Sequence, residues 1–343
     1  MVGQAILDSS VVNGRFACRY VNLSTSEKME EVGRFSFHKI KQLRAIRRKV
    51  MQEVAAFSPD LVYLTPASSG LGFLKDQWLV SRLRKKGCRI VLHFHNKGVR
   101  DNSRRWWYDR LYRRFFRDAR IILLSERLYQ DVSPYVDRED VWFCPNGAAS
   151  CPQSPDHSGT PLLLFLSNLI PSKGPLVLLD ACQILKRRGC PFRCVFVGKE
   201  TAGISAARMR EEIASRGLED TVRFDGPLYG DEKWKVLSQA DIFVLPTFSD
   251  CFPLVILEAF AAGLPVVTTE EGAIPDIVTE GENGLLCRPE DPEALARALE
   301  KLLDQPELRS RMGRANRLRY LAEYTPEVFE NRFADILSEM LHA

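Results

Sequence analysis

Residues 249–278, SDCFPLVILEAFAAGLPVVTTEEGAIPDIV, contain two carboxylates whose surroundings favour ligand binding. A helix is predicted over Pro253 to Ala262, because proline suits a first helical turn and a Gly-Leu-Pro sequence follows as a stop. Glu258 lies among apolar residues of this helix, where an ionised carboxylate without a partner is unfavourable. Asp250 lies in the preceding loop, beside the helix start, whose free N–H groups attract anions. The pattern predicts a polar ligand that contacts loop, helix start and helix.

This segment resembles the retaining glycosyltransferase family 4, whose two-domain fold is called GT-B. In that family a Glu, seven residues and a second Glu occupy this loop and helix. The resemblance implies that Glu258 holds the ribose hydroxyls of a nucleotide diphosphate sugar. It also implies that Asp250, a shorter acid at the first Glu position, lies near the donor sugar. The helix start that would face the donor diphosphate consists of Cys251, Phe252, Pro253 and Leu254.

A second motif, LSNLIPSKG at residues 166–174, follows a predicted strand and places Lys173 at the opening of a helix. Alone, this peptide favours a solvated lysine near a helix start. In the resembled family the motif ends in the same Lys-Gly and carries an Arg five residues before the Lys, and the two cations neutralise the donor diphosphate. The resemblance therefore implies that Lys173 contacts the diphosphate, with Asn168 in the place of the Arg and one cation fewer.

Two histidines end another predicted strand, in VLHFHNKG at residues 91–98. Strand periodicity puts His93 and His95 on the same face. A metal pair is conceivable, but no carboxylate or Cys cluster adjoins them, and no metal is expected. The resemblance implies that His95 reaches the donor sugar, whereas His93 is more typical of a core histidine. Gly198, at the end of a third strand, lies where the family places contacts to the base.

The length and pattern of the chain predict a two-domain α/β protein. A chain of 343 residues exceeds the usual size of a single core. Apolar runs alternate with amphipathic segments, as in parallel strands with helical crossovers. Two Rossmann-like domains that bind at the carboxyl ends of their strands fit this layout. The resemblance implies that they form a GT-B architecture and face a central cleft. The predicted strands are Leu61–Leu64, Arg89–Phe94, Ile121–Leu124, Leu162–Leu166, Arg193–Val197, Val222–Phe224, Ile242–Leu245 and Val266–Thr268.

A Ser- and Pro-rich segment without periodicity separates the two halves. We predict an acceptor-side domain over residues 1–147, a linker over 148–161, a nucleotide-sugar-binding domain over 162–325 and a last helix over 326–343. In the resembled family such a helix often crosses back to the first domain. The family also opens with a strand and a Gly-rich loop, and the resemblance makes Gly3 a candidate donor contact, although this chain enters a helix directly there. The first strand is expected to be missing, either because the true start lies upstream or because the strand is lost.

Charge is distributed unevenly along the chain. Residues 1–150 hold 27 Lys and Arg against 15 Asp and Glu, a net charge of +12, and the remainder carries −8. Residues 104–118, RRWWYDRLYRRFFRD, place six arginines opposite an apolar face that we expect to be core. This separation argues against nucleic-acid binding, which uses aromatic groups beside cations. The arginine face and residues 38–49 are free to contact anionic lipid headgroups or a lipid diphosphate acceptor. The apolar face comprises Trp107, Tyr108, Leu111, Tyr112, Phe115 and Phe116.

The cysteines and the apolar runs suggest the cellular location. Nine scattered cysteines without a CxxC arrangement are typical of reduced thiols in the cytosol. No run approaches the about 18 apolar residues that span a bilayer, and the N-terminus has no basic region of a signal peptide. We expect a cytoplasmic protein whose membrane contact is peripheral, on the inner face.

The motifs together predict a retaining glycosyltransferase that moves a hexose-type sugar from a nucleotide diphosphate sugar to a glycan or lipid-linked acceptor. The expected setting is cell-surface polysaccharide or lipopolysaccharide biosynthesis, without a metal or other cofactor. Lys173 and the amides of the helix start would stabilise the leaving diphosphate. Two alternatives stay open. One is a nucleotide-sugar epimerase of the same fold, and the other is a non-catalytic binding subunit, which Asn168, Asp250 and the missing strand favour.

Overall fold

The structure is a computed structural model that describes residues 2–23, 37–151 and 159–342. Its chain divides into two compact units. The first unit comprises Met1–Pro145 and Phe329–Ala343, and the second comprises Asn146–Val328. The predicted linker, residues 148–161, lies within the second unit's range, although residues 152–158 are outside the described residues.

The first unit is built on a sheet of four parallel strands in the order β1-β2-β3-β4. The strands are β1 Leu61–Leu64, β2 Arg89–His93, β3 Ala119–Leu123 and β4 Val141–Phe143. Within residues 2–23 and 37–60 no strand precedes β1, as the direct entry into a helix at Gly3 leads us to expect. The sequence did not predict β4, because three residues carry too little periodicity to identify a strand.

Helices cover both faces of this sheet. The helices are α1 Val2–Asp8, α2 Ser10–Arg15, α3 Phe37–Phe57, α4 Gly70–Lys85, α5 Val99–Ser103, α6 Trp106–Phe116 and α7 Tyr129–Val132, with the last helix of the chain, Pro326–His342. Ser9 caps α2 by accepting a hydrogen bond from the Val12 N–H, and its hydroxyl donates to Glu330 Oε2 at 2.6 Å. The first and last helices thereby pack on one core with Ile6, Val12, Val91, Ile122, Phe329, Phe333 and Met340.

The second unit contains a sheet of six parallel strands in the order β10-β9-β8-β5-β6-β7. The chain proceeds outward from β5 to β7 and then starts again on the other side of β5 with β8. The carboxyl ends of β5 and β8 therefore form the topological switch point, where open α/β sheets bind ligands. The strands are β5 Leu162–Leu166, β6 Arg193–Val197, β7 Val222–Gly226, β8 Ile242–Leu245, β9 Val266–Thr269 and β10 Gly284–Cys287.

The crossovers of the second unit are helical, as the alternating pattern predicts. They are α8 Pro175–Arg187, α9 Ala206–Ser215, α10 Gly230–Gln239, α11 Leu254–Ala262, α12 Ile274–Ile277, α13 Pro292–Asp304 and α14 Pro306–Glu323, and the last helix of the chain is α15. The predicted helix with the buried carboxylate is α11, which begins one residue later than expected because Pro253 is its N-cap. It ends at Gly263, whose φ of 74° is the left-handed conformation that glycine adopts without strain.

Candidate active site in the second unit

The loops that follow β5 and β8 are joined to each other at the switch point. Phe248 N–H and the Thr247 hydroxyl both donate to the Ser172 carbonyl oxygen, at 2.8 and 3.0 Å. Gly174, at φ 76°, lies so close to Pro246 that a Cβ at this position would overlap the Pro246 carbonyl oxygen. Because only glycine fits there, the Lys-Gly sequence holds the lysine against the loop after β8.

Lys173 and Asp250, both predicted as donor contacts, form an ion pair. Lys173 Nζ lies 2.5 Å from Asp250 Oδ2 and 3.4 Å from the Ser249 carbonyl oxygen. The two side chains are 20% and 12% exposed, so the pair is largely shielded from water. Asp250 Oδ1 also accepts the Cys251 N–H at 2.8 Å. The protein's own carboxylate therefore uses the cation and one amide that the sequence assigned to a diphosphate.

The loop after β9 packs beneath this ion pair. Gly272, at φ 56°, approaches the carbonyl oxygens of Asp250 and Cys251, and Ala273 N–H donates to the Cys251 carbonyl oxygen at 2.9 Å. Glu271 Oε1 accepts the Asp250 N–H at 3.4 Å. Glu271 is therefore partly buried against the loop that carries Asp250, whereas the neighbouring Glu270 is exposed.

Glu258 has the polar partner that its apolar setting requires. Lys233 of α10 places its Nζ 2.8 Å from Glu258 Oε1, and the two side chains are 21% and 15% exposed. Sequence patterns did not identify Lys233 as the partner of Glu258, because the two residues lie on different helices and are 25 positions apart in the chain. Burial, together with the negative charge of nearby Glu258, raises the pKa of the Cys151 thiol to about 11. The helix carboxylate is thus held by a cation at the edge of the site.

Asn168 and Gly198 connect the loops after β5 and β6. Asn168 Oδ1 accepts the Lys199 N–H at 3.3 Å, and Leu169 N–H donates to the Lys199 carbonyl oxygen at 2.8 Å. Gly198 is buried, and a Cβ there would overlap the Ser167 carbonyl oxygen. Both residues have a structural role in setting the two loops together. The expectation that they also contact the donor stays a prediction.

The helix start after Asp250 is half enclosed. Phe252 and Pro253 are buried, while Cys251 and Leu254 are partly exposed. The structure therefore brings together Lys173, Asp250 and this helix start, places Glu258 in the same helix, and sets Asn168 and Gly198 in the neighbouring loops.

His95 belongs to the first unit. Its two ring nitrogens are buried and have no hydrogen-bond partner among the residues that the structure describes, and burial lowers its pKa to about 4. The His93 ring is 4.1 Å away between centroids, and the Tyr63 hydroxyl is 2.9 Å from His93 Nδ1. Burial and the neighbouring His95 lower the pKa of His93 well below its usual value. His95 is thus a neutral imidazole with hydrogen-bonding capacity to offer a ligand.

Gly3, also assigned to the donor site, lies in α1 of the first unit. It is exposed, and a Cβ there would meet nothing within 4 Å. No neighbouring group requires a glycine at position 3. The expectation that Gly3 contacts the donor stays a prediction.

The described residues show two further properties of the chain. The nine cysteines all lie within the described residues, and no disulfide joins any of them. Within the described ranges, no three His, Cys, Asp or Glu side chains are grouped as a metal site requires, and no helix is both long and apolar enough to cross a bilayer.

Two parallel α/β units with this strand arrangement define a GT-B protein. The fold is similar to that of sucrose-phosphate synthase from Thermosynechococcus elongatus, with a TM-score of 0.74 and 20% identity over 90% of this chain and 81% of that one. Anabaena HepE in complex with UDP gives a TM-score of 0.72 and 21% identity over 87% and 83% of the two chains. At such identities the likeness establishes the fold alone.

Residues 151–319 match the family model of glycosyl transferases group 1. The matched residues lie in the second unit and include Glu258, which confirms the resemblance drawn from Glu258 and its surroundings. D-inositol 3-phosphate glycosyltransferase of Corynebacterium glutamicum is 37% identical over 193 residues, 53% of this chain and 45% of that protein. Amylovoran biosynthesis glycosyltransferase AmsK of Erwinia amylovora is 30% identical over 184 residues, 52% and 44% of the two. The matched segments span less than half the length of these relatives.

Proposed function

We propose that the protein is a retaining glycosyltransferase that transfers a hexose-type sugar from a nucleotide diphosphate sugar to a glycan or lipid-linked acceptor. The observation that carries this proposal is the pair of carboxylates, each held by a lysine, at the carboxyl edge of the second sheet. Lys173 with Asp250 and Lys233 with Glu258 lie within the segment that matches the family. The name AmsK supports a setting in polysaccharide biosynthesis, as the family resemblance does.

The donor would bind with its diphosphate at Lys173 and the start of α11. The diphosphate displaces the Asp250 carboxylate from Lys173 and from the Cys251 N–H, because a doubly charged ligand competes well for a cation and an amide. Glu258 then accepts hydrogen bonds from the ribose hydroxyls. Stabilisation of the departing diphosphate by a fixed cation and amides lowers the barrier of the transfer.

Asp250, once released, is free to orient the donor sugar, and the neutral His95 imidazole is proposed as a second sugar contact. No residue is assigned as general base, since the leaving phosphate is the group proposed to assist the acceptor. UDP is the first nucleotide to test, because the Anabaena HepE structures contain UDP and UDP-glucose. The proposed chemistry uses no metal.

The acceptor side is proposed for the first unit, at the cytoplasmic face of a membrane. Its excess of cations favours anionic partners such as lipid headgroups or a lipid-linked diphosphate.

A coupled assay for free nucleoside diphosphate tests the proposal. Purified protein is mixed with UDP-glucose, UDP-galactose or UDP-N-acetylglucosamine, with and without a membrane extract that supplies acceptors. We expect release of UDP only when donor and acceptor are both present, and its loss in Lys173→Ala. Interconversion of the sugar without release of UDP would instead identify an epimerase.

The non-catalytic alternative makes a different prediction for the same assay. There too the nucleotide must displace Asp250 from Lys173 and from the Cys251 N–H, but no turnover follows. Tight binding of UDP without release of UDP from any donor would support a binding subunit over an enzyme.

A further inference from the structure

Helix α6 leaves large apolar side chains exposed. Helical periodicity predicts Trp107 on the core face, but its side chain is 37% exposed. The preceding Trp106 is 77% exposed. Tyr108, Tyr112, Phe115 and Phe116 are buried as predicted, and Leu111 is partly exposed. Folded proteins rarely leave an indole this exposed unless it contacts a partner.

Helix α4 extends this surface, because it runs alongside α6 in the same direction. At the start of the two helices the Gly70 N–H donates to the Tyr108 hydroxyl at 2.7 Å. At their ends Arg84 Nη1 donates to the Arg114 carbonyl oxygen at 2.8 Å. The first turns of α4 expose two leucines, 58% and 40% exposed. The exposed apolar side chains of the two helix starts, here called the Trp106 patch, are Leu71, Leu74, Trp106 and Trp107.

Cations surround the Trp106 patch. Arg104 and Arg105 precede α6 directly, and both are exposed. Along α6 the further exposed arginines are Arg110, Arg113, Arg114 and Arg117. Asp101 lies 4.0 Å from Arg104 and Asp109 pairs with Arg113 at 2.9 Å, so the arginines outnumber the acids beside them and the surface stays basic.

We propose that the Trp106 patch inserts into the headgroup region of an anionic bilayer while the arginines around it bind lipid phosphates. Indole rings favour the membrane interface, leucines favour the acyl boundary and guanidinium groups bind phosphate, so this combination matches that surface in both polarity and charge.

The position of the patch adds a functional consequence. Helix α4 follows β1, and α5 and α6 follow β2, so the patch lies beyond the carboxyl ends of these strands. His95 lies beyond the same end of β2. A bilayer bound at the patch would therefore hold lipid-linked acceptors at the edge of the first sheet that carries His95. This inference deepens the membrane contact of the proposed function, and its test measures vesicle binding without sugar transfer.

Vesicle flotation of the whole chain tests the inference. The vesicles consist of phosphatidylcholine alone or of phosphatidylcholine with phosphatidylglycerol. We expect binding to the anionic vesicles, and a fall of about tenfold or more in the partition coefficient for the double variant Leu71→Ser with Trp106→Ser. The control is Leu318→Ser with Leu321→Ser on α14, two leucines that are 69% and 50% exposed. It should bind like the wild type.

A second variant separates the role of charge from the role of the apolar patch. Arg104→Gln with Arg105→Gln should weaken binding to anionic vesicles, and added salt should reduce its difference from the wild type. Circular dichroism checks that each variant is folded. Equal wild-type binding to neutral and anionic vesicles, absence of binding, or full binding by the folded Trp106 variant would overturn the proposal. If the variant Leu71→Ser with Trp106→Ser lost self-association but kept vesicle binding, the proposal would also be overturned.

Discussion

Lys173 Nζ lies 2.5 Å from Asp250 Oδ2, so the two residues assigned to the donor neutralise each other in the free protein. Asp250 reaches both the lysine and the first free amide before α11. An anion that binds at this helix start must therefore replace a carboxylate that is already there. This relationship gives Asp250 an effect on nucleotide affinity that is separate from any contact with sugar.

Replacing Asp250 by Asn should strengthen the binding of UDP. The amide keeps the shape of the side chain but removes the charge that competes for Lys173, which favours binding by about 1 kcal/mol, or about fivefold in Kd. Sugar transfer should decrease at the same time, because the carboxylate proposed to orient the sugar is lost. Calorimetry with UDP and the coupled release assay measure the two effects. Weaker binding of UDP by the variant would show that Asp250 is no competitor.

Replacing Lys173 by Ala should weaken UDP binding about tenfold or more, because a charge-assisted contact to phosphate is removed. Uridine, which lacks phosphate, should bind the variant and the wild type alike. Lys301→Ala, on the exposed side of α13, is the matched control and should bind UDP normally. An equal loss of affinity for uridine and UDP would place Lys173 outside the diphosphate site.

Replacing Lys233 by Met should lower the free energy of unfolding by about 1–2 kcal/mol, since Glu258 would keep its charge without a partner in a largely buried position. Adding Glu258→Gln should restore part of this loss, which urea unfolding of the single and double variants measures. Lys235→Met changes an exposed lysine of the same helix and should cost little. Additive effects of Lys233→Met and Glu258→Gln would contradict the observed ion pair.

Acid should destabilise the protein partly through His95. Its pKa in the folded state is about 4, below the ordinary value of 6.5, so the unfolded chain binds the proton more readily. The stabilising contribution is complete above pH 6.5 and is lost as the pH falls towards 4. His93, whose ring faces His95, acts in the same direction. Urea unfolding at pH 7, 6 and 5 should show a smaller loss of stability for His95→Gln than for the wild type. The same loss in both would contradict a buried neutral His95.

The sequence predicted most of the regular structure because the patterns that define it are local. The strands Leu162–Leu166, Arg193–Val197 and Ile242–Leu245 have the predicted bounds, and a proline and a glycine delimit α11 as expected. β4 was missed, since a strand of three residues carries little periodicity, and β10, which begins at a glycine after a polar turn, was also missed.

The candidate site was only partly predictable. The need of Glu258 for a partner follows from its apolar neighbours, but the identity of that partner depends on how α10 packs against α11. The same applies to Tyr63 beside His93 and to Glu271 beside Asp250, which come together through tertiary structure. Helical periodicity also could not predict that Trp107 is exposed, because its exposure depends on where α6 begins relative to α4.

The central claim is that the second unit binds a nucleoside diphosphate through Lys173, the start of α11 and Glu258. Calorimetric titration of the wild-type chain and of Glu258→Ala with UDP and UDP-glucose, then with the corresponding GDP and ADP compounds, tests it most directly. We predict that the wild type binds at least one of these nucleotides and that Glu258→Ala binds it about tenfold more weakly, because its ribose contact is lost. Failure of the wild type to bind any of them, or equal binding by the variant, would contradict this account of the site.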